Sequence, residues 1–300
     1  MHVVVAGASG ALGSALSRHL TSSGHEVTRL VRRAPTGADE SRWDPAAGQV
    51  DQSVVERADA VVNLAGSPLV GNPHSRRWAR TLEESRIATT GTLARAVAQA
   101  HRSGLAPAYI AGNGISWYGD QGERRLDESA PSTGDAFLTQ VTRVWQDAAA
   151  PAVDAGARVV VLRTAPVLHR SAPPMKQLAL AARLGLAARV GDGNQFFPVI
   201  SRRDWVAAVA HLIAGDVSGP VNLCCPETPT NAEFTEALAD AVNRPAFLAA
   251  PAAVVKVAAG RLGPEVLGSV RAVPAALLAA GHVFADVDVR DVVATALHDA

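Results

Sequence analysis

Lysine is nearly missing from this chain: Lys176 and Lys256 are the only two in 300 residues, and arginine carries almost all of the positive charge. With alanine abundant throughout, this composition reads as coding bias, but it leaves two candidates for any chemistry that needs an amine. Cysteine is equally scarce. Cys224 and Cys225 are neighbours in the strand-like PVNLCC, where adjacent side chains point to opposite faces. A disulfide framework is excluded, a metal site lacks ligands at proper spacing, and the pair reads as small packing residues in a reducing cytoplasm. Net charge is absent too, because 28 basic and 28 acidic residues cancel. No overall field draws the chain to nucleic acid or anionic lipid, so neither a nucleic-acid nor a membrane partner is expected. No apolar run reaches membrane-spanning length, and MHVVVAGASG lacks the basic region and apolar stretch of a signal peptide. HExxH, clustered Cys/His and Gly-x-Ser-x-Gly are missing, which leaves metal catalysis and serine hydrolysis unsupported. A small-molecule partner remains, with oligomeric state open.

What is present is alternation. Residues 2–6 form a β-branched run, a glycine turn follows, and Leu12, Ala15, Leu16 and Leu20 recur at helical spacing. Gly24 suits a helix end, and a second strand runs from His25 to Val31. A buried strand is predicted over 59–66 (DAVVNLAG), a helix over about 81–102, and a strand from Tyr109 to Gly112. A helix follows over 137–153, to or past Pro151, then a strand over 158–162 (RVVVL). This order specifies an α/β fold with a doubly wound parallel sheet. After Thr164 the rhythm changes to a helix over 175–186, a GDGNQ turn, a helix holding Trp205 to Ile213, and the PVNLCC strand. Thr230 and Glu233 supply a capping box for a helix through Val242. The tail from Ala252 is helical, interrupted by Pro264 and Pro274. The expected division is a dinucleotide-binding domain over 1–164 and a smaller substrate-binding α/β lobe over 165–300.

Gly7, Gly10 and Gly13 stand between the first strand and the first helix, with Ser9, Ala11 and Leu12 completing the loop. Glycine there permits a tight turn, lets backbone approach a pyrophosphate, and lets helix and strand pack closely. The helix N-terminus meanwhile offers free N–H groups and a positive dipole. At the end of the second strand, where an acidic residue would select the ribose diol of NAD(H), stand Arg32 and Arg33. Guanidinium forks suit a 2′-phosphate, so the expected cofactor is NADP(H).

With NLAG at 63–66, IAGNGISWYGD at 110–120, Ser85 and Arg86, RVVVLRTAPVL, GDGNQ, SRRDWVAAV, FTEALADAVNRP and LLAAGHVF, the chain resembles an atypical extended short-chain dehydrogenase/reductase. Within that superfamily it is similar to the epimerase-like branch labelled nucleoside-diphosphate-sugar epimerase. The resemblance covers essentially the whole chain and implies a Rossmann lobe, NADP(H) over the sheet's C-terminal edge, and a smaller lobe closing a substrate cleft. It places Leu64, Ala65, Gly66, Arg86, Gly112, Thr164, Pro166 and Val167 beside the cofactor, and Trp117, His169, Asp192 and Gln195 toward substrate.

The resemblance also exposes what this chain lacks. Ordinary members use a tyrosine and a lysine four residues later, with a serine or threonine from the preceding strand end. Here Tyr109 and Tyr118, the only tyrosines, are followed at that spacing by Asn113 and Gly122. Phe137 and Val141 occupy the places of the pair, and Gly114 that of the hydroxyl residue. Ser67 replaces an acidic residue common after NLAG, and SAPPM at 171–175 replaces a glycine-rich loop. Asn113, Ser116 and Tyr118 remain as catalytic candidates, although a phenol without a cationic partner is a poor base near neutrality. The leading reading is an NADP(H)-dependent oxidoreductase or epimerase-like enzyme for a small carbonyl or alcohol substrate. The alternative is a noncatalytic dinucleotide-binding sensor or scaffold.

Overall fold

A computed structural model describes residues 1–171 and 173–298. Its strands are β1 (His2–Ala6), β2 (Glu26–Val31), β3 (Glu40–Asp44), β4 (Gln49–Val50), β5 (Ala60–Asn63), β6 (Ala108–Gly114) and β7 (Arg125–Leu126). They continue with β8 (Val159–Thr164), β9 (Val167–Leu168), β10 (Ala188–Val190), β11 (Ile200–Ser201), β12 (Gly219–Leu223), β13 (Leu248–Ala250) and β14 (Arg271–Ala272). Eight of them form one sheet in the order β12-β8-β6-β5-β1-β2-β3-β4. β1 pairs in parallel with both β2 and β5, β5 with β6, and β2 with β3, while β4 is antiparallel to β3. The chain moves outward on one side of β1 and then on the other, the Rossmann arrangement, with its topological switch point beside β1. Short two-stranded pairings join β10 to β13, β11 to β9 and β14 to β7.

The chain gathers into two compact units. One comprises Met1–Asn113, Val141–Leu162 and Val209–Pro220; the other comprises Gly114–Gln140, Arg163–Ala208 and Val221–Ala300. They are interleaved in sequence because β6, β8, β12 and the helix Arg202–Ala214 each begin in one and end in the other.

The first unit explains its own run of valines. Val3, Val4, Val5, Val61 and Val62 are completely buried, as strands covered on both faces require. The helix Arg76–Arg102 packs Leu93, Ala94, Val97 and Ala100 into the same core as Val4, Val61 and Tyr109. It starts five residues before the predicted Thr81, because the Ser75 hydroxyl accepts from the Trp78 N–H at 3.2 Å and caps it. The predicted helix over 137–153 is broken into Phe137–Asp147 and Ala150–Asp154, with Pro151 in the first turn of the second piece, where its missing N–H costs nothing. The strand over 59–66 ends at Asn63, and Leu64 to Gly66 are loop. β3, β4 and the short helix Gln52–Glu56 had no periodic signal; β3 reads ESRWD, yet Glu40, Ser41 and Trp43 are all buried.

In the second unit, Met175, Ala182, Phe234, Leu238, Val292 and Val293 form one cluster. Phe197 meets Phe234 edge to face at 5.2 Å. The helix Asn231–Asp240 carries the predicted capping box, Thr230 with Glu233. Cys224 and Cys225 lie just past the end of β12, both fully buried and free. Burial pushes both thiols up, that of Cys225 to about 12, so neither is a thiolate near neutrality. Among the described residues no helix is long and apolar enough to cross a membrane, and no group of three or more potential ligands could hold a metal ion.

Asp204, in the first turn of the helix Arg202–Ala214, accepts from the Ala285 and Asp286 N–H groups at 2.9 and 2.7 Å. Burial raises its carboxyl, and these bonds oppose the rise. Asp204→Ala strips a buried N–H of its acceptor and should cost about 1–3 kcal/mol in urea unfolding. An unchanged midpoint would show that this bond does not hold the C-terminal segment.

Candidate functional site

β1 ends at Ala6, and Gly7 turns the chain with φ at 82°, a conformation that side chains rarely adopt. The Gly10 N–H donates to the Gly7 carbonyl at 3.0 Å, and the helix Ala11–Ser22 starts at once. No side chain caps that helix and no acidic residue stands in its first turn. A Cβ on Gly13 would lie 2.2 Å from the Gly7 oxygen, and one on Gly7 would lie 2.6 Å from the Leu64 carbonyl. The loop is thus pressed between its own helix and the backbone after β5, with exposed Ser9, Gly10 and Ala11 at its crest and Leu12 half-buried. Bare N–H groups at a helix N-terminus, with no Cβ in the way, are what a pyrophosphate needs.

Arg32 and Arg33 follow β2 directly and differ in state. Arg33 makes a bidentate pair with Glu40 at 2.6 and 2.7 Å. The N–H and hydroxyl of Thr36 also donate to Glu40. Arg29 approaches both Asp39 and Glu40. The Arg33 guanidinium, with help from Thr36, holds the Glu40 carboxyl down to about 2. Arg32 is exposed and has no hydrogen bond or ion pair among the described residues. The two adjacent arginines, read alike from sequence, therefore separate into one pinned and one available fork. Glu40, which no motif marked, is the residue that separates them.

The loop after β5 is stitched to the helix Arg76–Arg102. The Asn63 side-chain oxygen accepts from the Ala65 N–H at 3.1 Å, and its amide donates to the Thr90 hydroxyl at 2.9 Å. That hydroxyl also accepts from the Trp145 indole at 2.8 Å. Thr89 donates to the Ala65 carbonyl, Ser85 accepts from the Ser67 N–H, and Arg86 donates to the Ser67 and Leu82 carbonyls. The Arg86 guanidinium lies 4.8 Å from the centre of the Trp145 ring and beside Gly66. Burial brings its pKa down to about 10, and no carboxylate neutralises it among the described residues. It remains a cation, desolvated and aimed by two carbonyls. Gly112 is needed because a Cβ there would sit 2.8 Å from the Asn63 carbonyl oxygen. Asn113 is buried, and its amide donates to the Thr142 carbonyl at 3.1 Å. Leu64, Ala65, Gly66, Arg86 and Gly112 are thus brought together in one unit with the glycine loop.

The second unit holds the other candidates. Ile115–Tyr118 is a short 3-10 turn. Tyr118 is fully buried, and its hydroxyl lies 2.8 Å from the Asn222 side-chain oxygen and 3.0 Å from the Asp127 carbonyl while Arg163 donates to it at 3.0 Å. The expectation that Tyr118 could donate to substrate is corrected here: its hydroxyl is committed to a buried network, and burial pushes the phenol up despite the cation beside it. Arg163 also stacks 4.4 Å from the Trp117 ring centre. Ser116 is half-buried, and its hydroxyl makes no hydrogen bond among the described residues. The Thr164 hydroxyl accepts from the Trp205 indole at 3.3 Å, the Pro166 carbonyl from the Ile200 N–H, and Val167 pairs with Ile200. His169 is buried, with Nδ1 2.9 Å from the Ser171 hydroxyl. Asp192 accepts from the Asn194 N–H, and the Gln195 amide donates to the Val190 carbonyl. Both of those side chains hold the GDGNQ turn, so their expected reach toward substrate is replaced by a local one.

Compared with known proteins, residues 3–224 match the NAD dependent epimerase/dehydratase family, and residues 250–296 match a domain of unknown function, DUF1731. An "Epimerase family protein" of Mycobacterium bovis is 40% identical over 284 residues, covering 94% of this chain and 93% of its own. The Homo sapiens epimerase family protein SDR39U1 is 36% identical over 290 residues, with 95% of each chain covered. A crystal structure of human SDR39U1 (isoform 2) with NADPH superposes with a TM-score of 0.86 at 30% identity over the full length of both chains. The nucleoside-diphosphate sugar epimerase from Corynebacterium glutamicum gives 0.78 at 30% identity, covering 99% of this chain and 58% of that one.

The Arg33 and Glu40 pair makes a pH prediction. Folding lowers the Glu40 carboxyl from its ordinary 4.5 to about 2. The stabilisation it brings is complete above about pH 4.5 and is lost as pH falls through about 2. Glu40→Gln should therefore lower the melting temperature at neutral pH, with the gap closing between about pH 4.5 and 2. A gap equally wide throughout in calorimetry would contradict the assignment.

Proposed function

The chain belongs to the NAD dependent epimerase/dehydratase family, and from that premise we propose that it binds NADP(H) through its first unit. It acts as an oxidoreductase or epimerase-like enzyme on a small carbonyl or alcohol substrate. One observation carries this reading: an uncapped helix N-terminus over a glycine loop with no room for a Cβ, combined with an available Arg32 at the end of β2. The NADPH in the human relative's crystal structure supports the same choice.

The glycine loop holds the pyrophosphate by backbone N–H groups and the helix dipole. Arg32 takes the 2′-phosphate as a charge-assisted fork, and Arg33, neutralised by its bidentate pair with Glu40, shapes the loop that presents Arg32. Arg86 supplies a fixed cation in a desolvated setting, where its attraction for an anion is stronger than in water. When bound, the nicotinamide supplies or accepts the hydride.

Proton handling cannot follow the tyrosine-lysine scheme, since no lysine lies four residues after either tyrosine. With Tyr118 committed elsewhere, Ser116 is assigned as the hydroxyl that hydrogen-bonds the reacting oxygen. The expectation that Asn113 could serve there is corrected likewise, since its buried amide donates to the Thr142 carbonyl and acts as a positioning group. Tyr118 is a positioning residue that holds the 115–118 turn. Residues 165–300 supply substrate recognition, His169 among its candidates, and Trp117 of the 115–118 turn is a further candidate.

Calorimetry should find NADPH bound more tightly than NADH. Arg32→Ala should remove about 1–3 kcal/mol of that preference, and equal affinities in the unmodified protein would overturn the 2′-phosphate assignment. Against a carbonyl panel, the near-ultraviolet absorbance of NADPH should fall. Ser116→Ala should lower kcat by roughly 10²-fold or more with NADPH affinity unchanged, while Lys176→Met and Lys256→Met leave kcat as it was. NADPH bound but never consumed would leave a noncatalytic sensor, and loss of turnover in either lysine variant would restore a catalytic amine.

A further inference from the structure

The neutral total charge hides a sharp local segregation. From Met175 to Gly191 the chain holds Lys176, Arg183 and Arg189 and no acid, and from Asn243 to Pro264 it holds Arg244, Lys256 and Arg261 and no acid. Both lysines of the protein are among these six. All six are exposed. The nearest acids along the chain are engaged elsewhere: Asp192 accepts from the Asn194 N–H, Asp240 pairs with Arg290, and Glu265 accepts from the Leu138 N–H.

The two segments meet in the second unit. β10 pairs in parallel with β13, setting Ala188 opposite Leu248, so Leu186 and Phe247 enter at the same end. Arg244 donates to the Arg183 carbonyl at 3.1 Å, and Gly191 reaches Ala252 at the other end. The apolar residues of the same segments face outward. Phe247 is 70% exposed, Val257 74% and Leu184 65%, with Leu180, Leu186 and Val254 similar. The helix Ala252–Ala259, sequence AAVVKVAA, buries no residue at all. The other face of the helix Pro173–Arg183 is already spent on the core through Met175 and Ala182.

Exposed apolar side chains gathered in this way mark an interaction surface. We propose that this cationic, apolar face docks on an anionic lipid bilayer, with Phe247, Val254 and Val257 entering the interface and the arginines and lysines meeting the phosphate headgroups. Charge complementarity selects this occupant. A second copy would bring six cations against six, which disfavours a symmetric contact between like faces. Long basic side chains also extend their heads to the headgroup level while their stems lie along the apolar surface. The proposal is independent of cofactor binding and of catalysis.

The test is flotation of the full chain with vesicles of phosphatidylcholine alone and with about 30% phosphatidylglycerol, at about 0.05 M and 0.5 M salt. Binding should be roughly tenfold greater on the anionic vesicles and should fall steeply in high salt. Lys176→Glu, Lys256→Glu and Arg261→Glu combined should abolish it, and Val254→Ser with Val257→Ser should reduce it about fivefold, both with unchanged melting temperatures. Equal binding to neutral vesicles, no binding to either, or full binding by the charge-reversed protein would overturn the proposal. So would a lipid-free dimer in analytical ultracentrifugation that the serine variant dissolves while the unmodified protein ignores vesicles.

Discussion

A Cβ on Gly13 would overlap the carbonyl oxygen of Gly7, and a Cβ on Gly7 would overlap the carbonyl of Leu64. Three backbone segments, the loop after β1, the first turn of its helix and the chain leaving β5, therefore share one contact without side chains. The sheet order makes that contact consequential. β1 lies between β5 and β2, so the loop stands at the switch point where the connections diverge. Helix, loop and sheet can approach this closely only with glycine there, and the close approach leaves the helix N-terminus bare for an anion.

Polar groups around this contact are held by bonds that leave little freedom. Asn63 serves both the Ala65 N–H and the Thr90 hydroxyl, and Thr90 receives the Trp145 indole. The buried Tyr109 phenol donates to the Thr90 carbonyl, and burial pushes its pKa up, so it stays neutral. A network satisfied at each member fixes the loop and the Trp145 ring, and through the ring the Arg86 guanidinium above it. Electrostatic groups set before a ligand arrives need no reorganisation when it binds. Arg33 is set in the same sense by Glu40 and Thr36.

The second unit spends its tyrosine differently from a catalytic phenol. Buried Tyr118, Arg163 and Asn222 form a polar cluster with half-buried Glu128: Arg163 donates to the phenol and to the Glu128 carbonyl, and the Glu128 carboxylate accepts from the Asn222 and Ala276 N–H groups. Burial raises the Glu128 carboxyl and lowers the Arg163 guanidinium, yet each charge has bonds that repay part of its desolvation. Such a cluster ties the 115–118 turn to β12 and to the chain before Ala276 within that unit. The same unit carries the six cations of residues 175–191 and 243–264, for which no ion pair is found among the described residues.

The valine runs, the glycine spacing and the Thr230 to Glu233 box were legible because each is a local pattern with one physical meaning: two buried faces, a side-chain-free turn, two reciprocal caps. Legible from the residues alone were the α/β alternation, the dinucleotide loop, the arginines at the end of β2 and that no lysine lies four residues after either tyrosine. β3 was not legible, since ESRWD is charged at alternate positions and is buried only because Arg29, Arg33 and Thr36 come to meet Glu40. The difference between Arg32 and Arg33, the burial of Tyr118, and the gathering of two basic segments 60 residues apart through β10 and β13 were decided by tertiary structure alone. Each depends on which distant group fills a hydrogen-bond or packing site, and periodicity within a segment carries no information about its partner across space.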